Sequence, residues 1–297
     1  MSHHGGVPEL PEVEALARFL DGRASGHAVS DVAVGAISAL KTFAPAPSDL
    51  VGAQVVGVGR HGKWLDVVTA SATGELLHLV VHLSRAGWLR WYEEAPTTPV
   101  RPGKSPLALR VRLDDGSGFD LTEAGTRKRL AVHVVRDPAE IEMVASLGVD
   151  PLGADLTVDR LATLLAGRSQ QLKGLLRDQR QIAGIGNAYS DEILHAARMS
   201  PFALSRSLDG GEVARLHAVI REVLSHALDL ASGRPAAELK DAKRRGMQVH
   251  GRTGQACPVC GDTVREVSFA DSSLQYCPTC QTGGKVLADR RMSRLLR

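Results

Sequence analysis

The sequence predicts a two-part protein with both α and β structure, in which a β-rich half with one leading helix precedes a mostly helical half. Three observations indicate this fold class. Short β-rich runs separated by turn signals fill the first half, helical periodicity takes over after Pro138, and all four cysteines lie between residues 257 and 280. The length of 297 residues suits two domains, each large enough to bury its own core.

The first half begins with an amphipathic helix over residues 9–23, because apolar residues from Leu10 to Leu20 recur at spacings of three and four. Pro11 is tolerated in the first turn of such a helix. Eight short β-rich runs follow, at residues 29–34, 55–59, 64–69, 76–83, 87–91, 107–113, 118–121 and 130–135. Many short strands with few helices favour a β-sandwich or a barrel.

The second half has the apolar period of helices. The predicted helices cover residues 141–147, 158–165, 169–178, 187–197, 210–232 and 235–243. The stretch Leu147-Gly-Val-Asp-Pro-Leu152 reads as the hinge between the halves. We therefore predict an extension at 1–7, a β-sandwich domain at 8–138, a linker at 139–153, a helical domain at 154–249, a metal-held hairpin at 250–281 and a basic tail at 282–297.

Charge is distributed unevenly along the chain. The net charge is +3, but residues 234–297 hold 12 Lys/Arg and 6 Asp/Glu, so this quarter carries +6 and the first 233 residues carry −3. A basic C-terminal quarter is typical of nucleic-acid binders, and a solvated charged face is the alternative. The chain has no run of 18 apolar residues and no apolar stretch at its start, so we expect a cytoplasmic protein without a membrane partner.

Two Cys-x2-Cys pairs, Cys257-Pro-Val-Cys260 and Cys277-Pro-Thr-Cys280, are separated by 16 residues. Two tight turns at this spacing can present four thiolates in the tetrahedral arrangement that Zn²⁺ prefers. The residues between them alternate like a β-hairpin that is too small to bury a core without a metal. We therefore predict one structural zinc ion. Two disulfides are the alternative, but nothing in the sequence indicates an oxidising compartment.

A glycine-rich turn, Gly184-Ile-Gly-Asn187, stands before a predicted helix in the second half. Asn187 can cap a helix that begins at about Ala188, and such a helix N-terminus suits a phosphate group. Lys173, fourteen residues earlier, would be a second phosphate contact. Taken alone, the turn is more typical of a joint between two helices, and Lys173 of an exposed lysine.

Several motifs in one order resemble the formamidopyrimidine-DNA glycosylase / endonuclease VIII family. The resemblance covers about residues 7–281 and implies a β-sandwich domain, a helix–two-turn–helix domain and a zinc-finger hairpin. It rests on Pro8-Glu-Leu-Pro-Glu-Val-Glu14, Arg60-His-Gly-Lys-Trp-Leu65, His82-Leu-Ser-Arg-Ala-Gly87, Leu147 to Leu152, Lys173 to Asn187, and Val249-His-Gly-Arg-Thr-Gly254.

The resemblance implies a monomeric enzyme that bends damaged double-stranded DNA and turns the damaged nucleotide out of the stack. Pro8 would be the nucleophile at C1′ of that nucleotide, Glu9 the acid and base, and Lys63 a cationic partner near the sugar-phosphate. β/δ-Elimination would then cut the strand. The resemblance assigns phosphate contacts, which position the duplex without reading its sequence, to His82, Lys173 and Asn187.

The resemblance also makes Glu12 a supporting carboxylate beside the acid and base. Glu9, Glu12 and Glu14 are at the same time the acidic residues that commonly complement the dipole in the first turn of a helix.

The position of Pro8 departs from the family pattern. An internal proline nitrogen is a tertiary amide without a hydrogen and cannot form an imine. Val7 stands where the family has its initiator methionine, and a valine codon can serve as a start. We therefore expect translation to begin at residue 7 and the initiator to be removed, in which case residues 1–6 are an upstream misreading or a cloning remnant.

Two further departures concern the groups that contact DNA. The family's phosphate-binding arginine, five residues before the third cysteine, is Ser272 here, and a hydroxyl cannot replace a bidentate clamp. The family's wedge of Met, Arg and Phe is replaced by Arg85 and Arg127, which leaves lesion and opposite-base preference open. The basic residues that follow the fourth cysteine either substitute as phosphate contacts or form a disordered tail; they are Lys285, Arg290, Arg291 and Arg294.

Two functions remain after these departures. The favoured one is a bifunctional DNA glycosylase and abasic-site lyase acting on oxidised bases or abasic sites, because Glu9 and Lys63 are intact. The alternative is a catalytically deficient paralogue that binds damaged or abasic DNA. A zinc-ribbon module for protein interaction would leave the other motifs as coincidences.

Overall fold

The computed structural model describes residues 7–101, 103, 106–124, 127–167, 169–269 and 272–288. Contacts divide these residues into two compact units. Unit 1 comprises the described residues of 1–146 and 231–241, and unit 2 those of 147–230 and 242–297. Among the described residues, no helix has the length and apolar character needed to cross a membrane.

Unit 1 is built from a leading helix and two antiparallel sheets of four strands each. Helix α1 spans Leu10–Ala24. The strands are β1 (Val29–Val34), β2 (Gln54–His61), β3 (Trp64–Ala70), β4 (Leu76–His82), β5 (Gly87–Tyr92), β6 (Leu107–Leu113), β7 (Gly118–Glu123) and β8 (Ala131–Val135). One sheet has the order β1-β6-β7-β5 and the other β2-β3-β4-β8. The predicted leading helix and all eight strands are confirmed, with ends that shift by at most two residues.

Helix α1 packs its apolar face on the second sheet. Leu10, Leu16 and Leu20 are fully buried, and the helix contacts β2 and β3. Burying a leucine side chain contributes about 1.5–3 kcal/mol, so this face fixes the helix against the sheet. The first turn of α1 therefore has a defined position relative to the hairpin formed by β2 and β3.

Residues 231–241 return to unit 1 after the helices of unit 2. The indole Nε1 of Trp88 on β5 donates to the carbonyl oxygen of Ala236 at 3.0 Å. The Lys240 ammonium lies 4.4 Å from the centroid of the same ring. The domain limits predicted from the sequence do not anticipate this return.

Unit 2 holds most of the helices and a small hairpin. The helices of the second half are α2 (Glu142–Ala145, still in unit 1), α3 (Val158–Gly167), α4 (Leu172–Arg177), α5 (Asn187–Ala196), α6 (Gly210–Ala231), α7 (Leu239–Gly246) and α8 (Pro278–Thr282). The hairpin pairs β9 (Arg265–Ser268) with β10 (Ser273–Tyr276). The core of unit 2 gathers leucines of α3, α4 and α6 around Ile193 and Leu194 of α5.

Candidate functional site

Two of the residues predicted to be catalytic, Pro8 and Glu9, are buried at the start of helix α1. Pro8 is buried, and Glu9 and Glu12 are each 2% exposed. Glu12 Oε2 accepts a hydrogen bond from the Glu9 backbone N–H at 2.8 Å. Glu12 therefore fixes the backbone at Glu9, which agrees with the supporting role expected for it, and it caps the first turn at the same time.

Lys63 lies in a tight turn, beside the strand that the motif Arg60–Leu65 suggested. The β2–β3 register pairs His61 with Trp64, so Gly62 and Lys63 form a two-residue hairpin turn. Gly62 has a φ of 55°, in the left-handed region that such turns require. The turn presents the Lys63 side chain half-buried at the end of the hairpin.

An ion pair joins helix α1 to the strand that leads into this turn. The Arg60 Nε atom on β2 lies 2.7 Å from Glu14 Oε2 on α1, and the Arg60 side chain is 7% exposed. Because the Arg60 side chain is largely removed from water, separating the pair would leave its charge buried and uncompensated, so the pair ties the two elements together. The structure thus places Pro8 and Glu9 on one element and Lys63 on another that is tied to it.

His82, at the end of β4, is a neutral histidine beside Lys63. Its ring lies against Trp64, with the centroids 4.7 Å apart, and its Nδ1 is 3.0 Å from Ser84 Oγ. Burial, and then the positive charge of Lys63, lower the pKa of His82 to about 4. The imidazole is therefore uncharged at neutral pH.

Arg85 and Arg127 are exposed and lie on two segments that are tied together. Ser84, which precedes Arg85, donates its hydroxyl to the carbonyl oxygen of Arg129 at 2.8 Å. The buried Glu123 carboxylate accepts the Arg129 N–H at 2.6 Å. The two arginines predicted to fill the space of the displaced base are therefore presented by connected backbone segments.

Lys173, in helix α4 of unit 2, is buried. Only 5% of the residue is exposed, and its ammonium donates to the Asn187 carbonyl oxygen at 3.2 Å and to Ser190 Oγ at 3.1 Å. It also forms an ion pair with the fully buried carboxylate of Asp191. The charge of Lys173 is therefore compensated inside the unit, and the phosphate contact expected of it stays a prediction.

Asn187 is the first residue of α5 and not its cap. Gly186 occupies the N-cap position, and Asn187 makes no side-chain cap hydrogen bond, so the capping prediction was wrong. Its Nδ2 donates instead to the Ser273 carbonyl oxygen on β10 at 2.9 Å, which links the helical module to the hairpin. The tight turn itself is confirmed, because Gly184 has a φ of 91°.

A buried carboxylate joins α5 to the segment before the hairpin. Glu192 accepts the backbone N–H groups of Gln248, Val249 and His250 at 2.7, 3.0 and 2.8 Å. His250 Nδ1 lies 2.8 Å from Asp191 Oδ2. The motif at Val249–Gly254 is therefore anchored through its backbone to the helix that Asn187 begins.

The four cysteines form a site that fits one zinc ion. Their Sγ atoms all lie within 4.8 Å of one another, with Cys257–Cys280 at 3.9 Å and Cys260–Cys277 at 3.3 Å. A tetrahedral Zn–S₄ centre with bonds of about 2.3 Å has sulfur separations of about 3.8 Å. All four cysteines are free thiols, so the disulfide alternative is wrong.

His195 of helix α5 supports this centre from outside. Its Nε2 lies 3.3 Å from Cys257 Sγ, and both residues are buried. Such contacts orient the ligands of structural metal sites. The zinc centre therefore rests on the helical module as well as on the hairpin.

The position of the absent arginine lies in the hairpin loop. The Ser272 carbonyl oxygen accepts the Phe269 N–H at 2.7 Å, and Ser272 is half-buried. Of the basic residues after the fourth cysteine, Lys285 is exposed, and Arg290, Arg291 and Arg294 lie outside the described residues.

Sequence reasoning missed the residues that support those it named. Ser84 and Glu123 hold the segments of Arg85 and Arg127, and Asp191 compensates Lys173. Asp66 is a further example, because its buried carboxylate binds His61 at 3.0 Å and His78 at 3.0 Å beside the Lys63 turn. A polar residue inside an otherwise apolar strand was the available signal for Asp66.

Comparison with known proteins matches three segments of the chain. Residues 7–132 match the formamidopyrimidine-DNA glycosylase N-terminal domain, and residues 147–236 match the H2TH domain of the same enzymes. Residues 254–283 match a zinc finger found in Fpg and IleRS. The zinc site is thus supported both by the thiol geometry and by this match.

Relatives with similar sequences are formamidopyrimidine-DNA glycosylases or glycosylase-like proteins. A formamidopyrimidine-DNA glycosylase of Symbiobacterium thermophilum is 35% identical over 299 residues, which cover 96% of this chain and 93% of the relative. A formamidopyrimidine-DNA glycosylase-like protein of Mycobacterium tuberculosis is 60% identical over 152 residues, or 51% of this chain and 95% of the relative.

A solved complex of Lactococcus lactis Fpg (MutM) with a DNA that contains an oxidised pyrimidine has a TM-score of 0.80 and 26% identity. The match covers 93% of this chain and 100% of that chain. Together with the matched domains and their order, these relatives show that the chain belongs to the formamidopyrimidine-DNA glycosylase family.

Proposed function

We propose that this protein is a base-excision-repair DNA glycosylase that removes oxidised bases from duplex DNA and then cuts the strand as an abasic-site lyase. The observation that carries the proposal is the tie between α1 and the Lys63 turn. The Arg60–Glu14 ion pair at 2.7 Å holds the Pro8–Glu9 element against the hairpin that ends in Lys63. An amine, a carboxyl group and a cation are the groups that imine chemistry at a sugar carbon requires.

The chemistry needs Pro8 as a free secondary amine. Its nitrogen attacks C1′ while the bond from C1′ to the damaged base breaks. The base leaves with the electron pair and takes up a proton, and the Pro8 nitrogen gives up its own. Glu9 gives a proton to the ring oxygen of the sugar, which opens and leaves an iminium between Pro8 and C1′. Removal of a proton from C2′ then expels the 3′ phosphate, and water releases the enzyme.

Each unit contributes to DNA binding in this proposal. The charge of Lys63 stabilises the phosphate next to the opened sugar, and Arg85 and Arg127 fill the space of the displaced base by stacking. The backbone at the start of α5 and the zinc hairpin contact phosphates, with Asn187 joining the two. The protein acts as a monomer on damaged DNA in the cytoplasm, at the nucleoid.

The test compares two versions of the chain, one that begins at Met1 and one that begins at Pro8. Each is incubated with an abasic-site duplex and borohydride, which reduces an imine to a stable amine. We expect a covalent protein–DNA band from the Pro8 version alone, since the internal proline nitrogen of the longer chain is an amide. Glu9→Gln should weaken the band, whereas the matched exposed variant Glu94→Gln should leave it unchanged.

A second candidate function is the recognition of abasic or damaged DNA without catalysis. The favouring observation is that Val7 precedes Pro8, so the nitrogen of Pro8 is acylated in the chain as written. Duplex binding by both versions with no covalent band from either would establish this candidate and exclude the lyase.

A further inference from the structure

The turn after β4 contains a serine in a conformation that favours glycine. Ser84 has a φ of +54°, in the left-handed region. Only glycine, and to a lesser degree asparagine and aspartate, adopts this region without strain. A serine at such a position needs compensating contacts, and its hydroxyl makes two of them.

The two hydrogen bonds of the Ser84 hydroxyl have fixed directions. A hydroxyl has one hydrogen, and Ser84 donates it to the Arg129 carbonyl oxygen at 2.8 Å. In the second contact, at 3.0 Å from His82 Nδ1, the oxygen must therefore accept. The hydrogen of this contact comes from the ring, so His82 is held as the Nδ1–H tautomer.

The Arg129 peptide that receives the hydroxyl is held from its other side. The buried Glu123 carboxylate accepts the N–H of Arg129 at 2.6 Å and that of Leu130 at 2.9 Å. The acceptor of the Ser84 hydroxyl is therefore immobilised, and the direction of its hydrogen bond is set by the fold.

The tautomer changes the role expected for His82. A neutral ring with hydrogen on Nδ1 has a lone pair on Nε2, which accepts hydrogen bonds and cannot donate one to a phosphate oxygen. The ring is uncharged because burial and the neighbouring Lys63 charge lower its pKa to about 4. His82 is thus suited to receive a hydrogen-bond donor at Nε2.

We propose that Ser84 is a positioning residue of the lyase site, whose hydroxyl holds His82 with its hydrogen on Nδ1 and joins the Arg85 turn to the Arg127 segment. This inference rests on the proposed function for its catalytic consequence. The state of the His82 ring is independent of that function and can be measured without DNA.

The first experiment reads the tautomer by NMR. The protein is labelled with ¹⁵N-histidine, long-range ¹H–¹⁵N spectra are recorded at pH 7, and His82→Gln identifies the His82 signals. We expect a neutral ring with hydrogen on Nδ1, a shift toward the Nε2–H form in Ser84→Gly, and recovery in Ser84→Asn, whose amide can donate and accept. A charged ring or an Nε2–H ring in the unmodified protein would overturn the proposal.

The second experiment measures single-turnover cleavage of an abasic-site duplex by chains that begin at Pro8. Glycine suits a φ of +54°, so Ser84→Gly keeps the bend and removes only the hydroxyl. We expect its rate constant to fall by up to about 10²-fold through misplacement of the reacting groups. Ser84→Asn should recover most of the rate.

Ser30→Gly is the matched control, because Ser30 makes the same kind of bond, from Oγ to the Leu113 carbonyl oxygen at 2.9 Å, on the other sheet. An unchanged rate in Ser84→Gly would overturn the positioning role. If the starting chain itself does not cleave while the His82 ring is found as expected, the proposed function fails and the hold of Ser84 on His82 stands.

Discussion

Lys63 in unit 1 and Lys173 in unit 2 are both lysines of matching motifs, yet the fold treats them differently. Lys63 stands half-buried in a two-residue turn beside a neutral histidine. Lys173 is 5% exposed and forms an ion pair with a carboxylate that is fully buried. The charge of Lys63 lowers the pKa of His82 at the end of a hairpin. The charge of Lys173 is compensated by Asp191 within unit 2.

This difference shows that a motif identifies a residue but its neighbours decide what the residue does. Asp191, eighteen residues after Lys173, gives the lysine an ion-pair partner on helix α5, whereas the phosphate contact expected of Lys173 stays a prediction. The charge of Lys63 instead lowers the pKa of the neighbouring His82 ring. We expect substitutions in unit 2 to act mainly through stability and substitutions around Lys63 mainly through activity.

Removal of the zinc ion should give the largest difference between the two units, because only unit 2 should lose structure. Structural zinc sites contribute about 10–16 kcal/mol of apparent binding free energy, and the hairpin is too small to stay folded without the ion. With a strong chelator, we expect hydrogen–deuterium exchange to rise in residues 254–283 and to stay unchanged in the β2–β4 strands. Added zinc should restore protection, and equal loss in both units would contradict the separation.

Substitution of the two lysines by methionine tests the comparison directly. Lys173→Met removes the charge that compensates the buried Asp191 carboxylate and leaves it only the His250 contact, so we expect the free energy of unfolding to fall by about 3–5 kcal/mol. Lys63→Met should lower it by less than Lys173→Met does, because Lys63 is half-buried at the end of a hairpin, and it should abolish borohydride trapping. Urea unfolding at pH 7 measures both.

The double variant Lys173→Met/Asp191→Leu should recover part of the stability lost in the single variant, because no unpaired carboxylate remains. An equal loss of stability in Lys63→Met and Lys173→Met would remove the distinction between the two lysines.

The neutral state of His82 predicts a pH dependence that resides in unit 1. Its pKa is about 4 in the folded chain against an ordinary 6.5, so the unfolded chain binds the proton first as the pH falls. The stability from the neutral ring is present above about pH 6.5 and is lost as the pH falls toward 4. Between pH 7 and pH 5 we expect His82 to account for about 2 kcal/mol of lost stability.

The measurement is urea unfolding of the unmodified chain and of His82→Gln at both pH values. The variant should lose less stability on acidification, and identical losses would show that His82 is not the group that titrates.

The smallest effect is expected at Glu12. Glu12→Gln keeps an oxygen for the Glu9 N–H but removes the charge, which changes a hydrogen bond by about 0.5–1.5 kcal/mol. We expect a small fall in the thermal midpoint and a trapping yield near that of the unmodified Pro8 chain, in contrast to Glu9→Gln. If Glu12→Gln reduced the trapping yield as much as Glu9→Gln does, Glu12 would be a second proton-transfer group.

The sequence predicted the elements well and the partners of individual side chains poorly. Strand β1, at Val29–Val34, and strand β6, at Leu107–Leu113, follow the alternation of apolar residues and have their predicted limits. The cysteine spacing likewise sufficed for the zinc site. These features depend on short-range pattern, which a single sequence displays.

Contacts between residues far apart in the sequence could not be predicted from short-range pattern. Asn187 was expected to cap α5, but its amide reaches Ser273, eighty-six residues later. The tie between Ser84 and Arg129 spans forty-five residues. Local chemistry identifies a residue that can donate or accept, while the partner depends on tertiary structure.

The return of residues 231–241 to unit 1 has a consequence for synthesis of the chain. Trp88 leaves the ribosome long before its partner Ala236 does, because all of residues 147–230 are made in between. At about 5–20 residues per second, this interval lasts several seconds. During this interval, the Trp88 indole on β5 lacks its Ala236 acceptor. Residues 231–241 therefore complete unit 1 only after residues 147–230 have been synthesised.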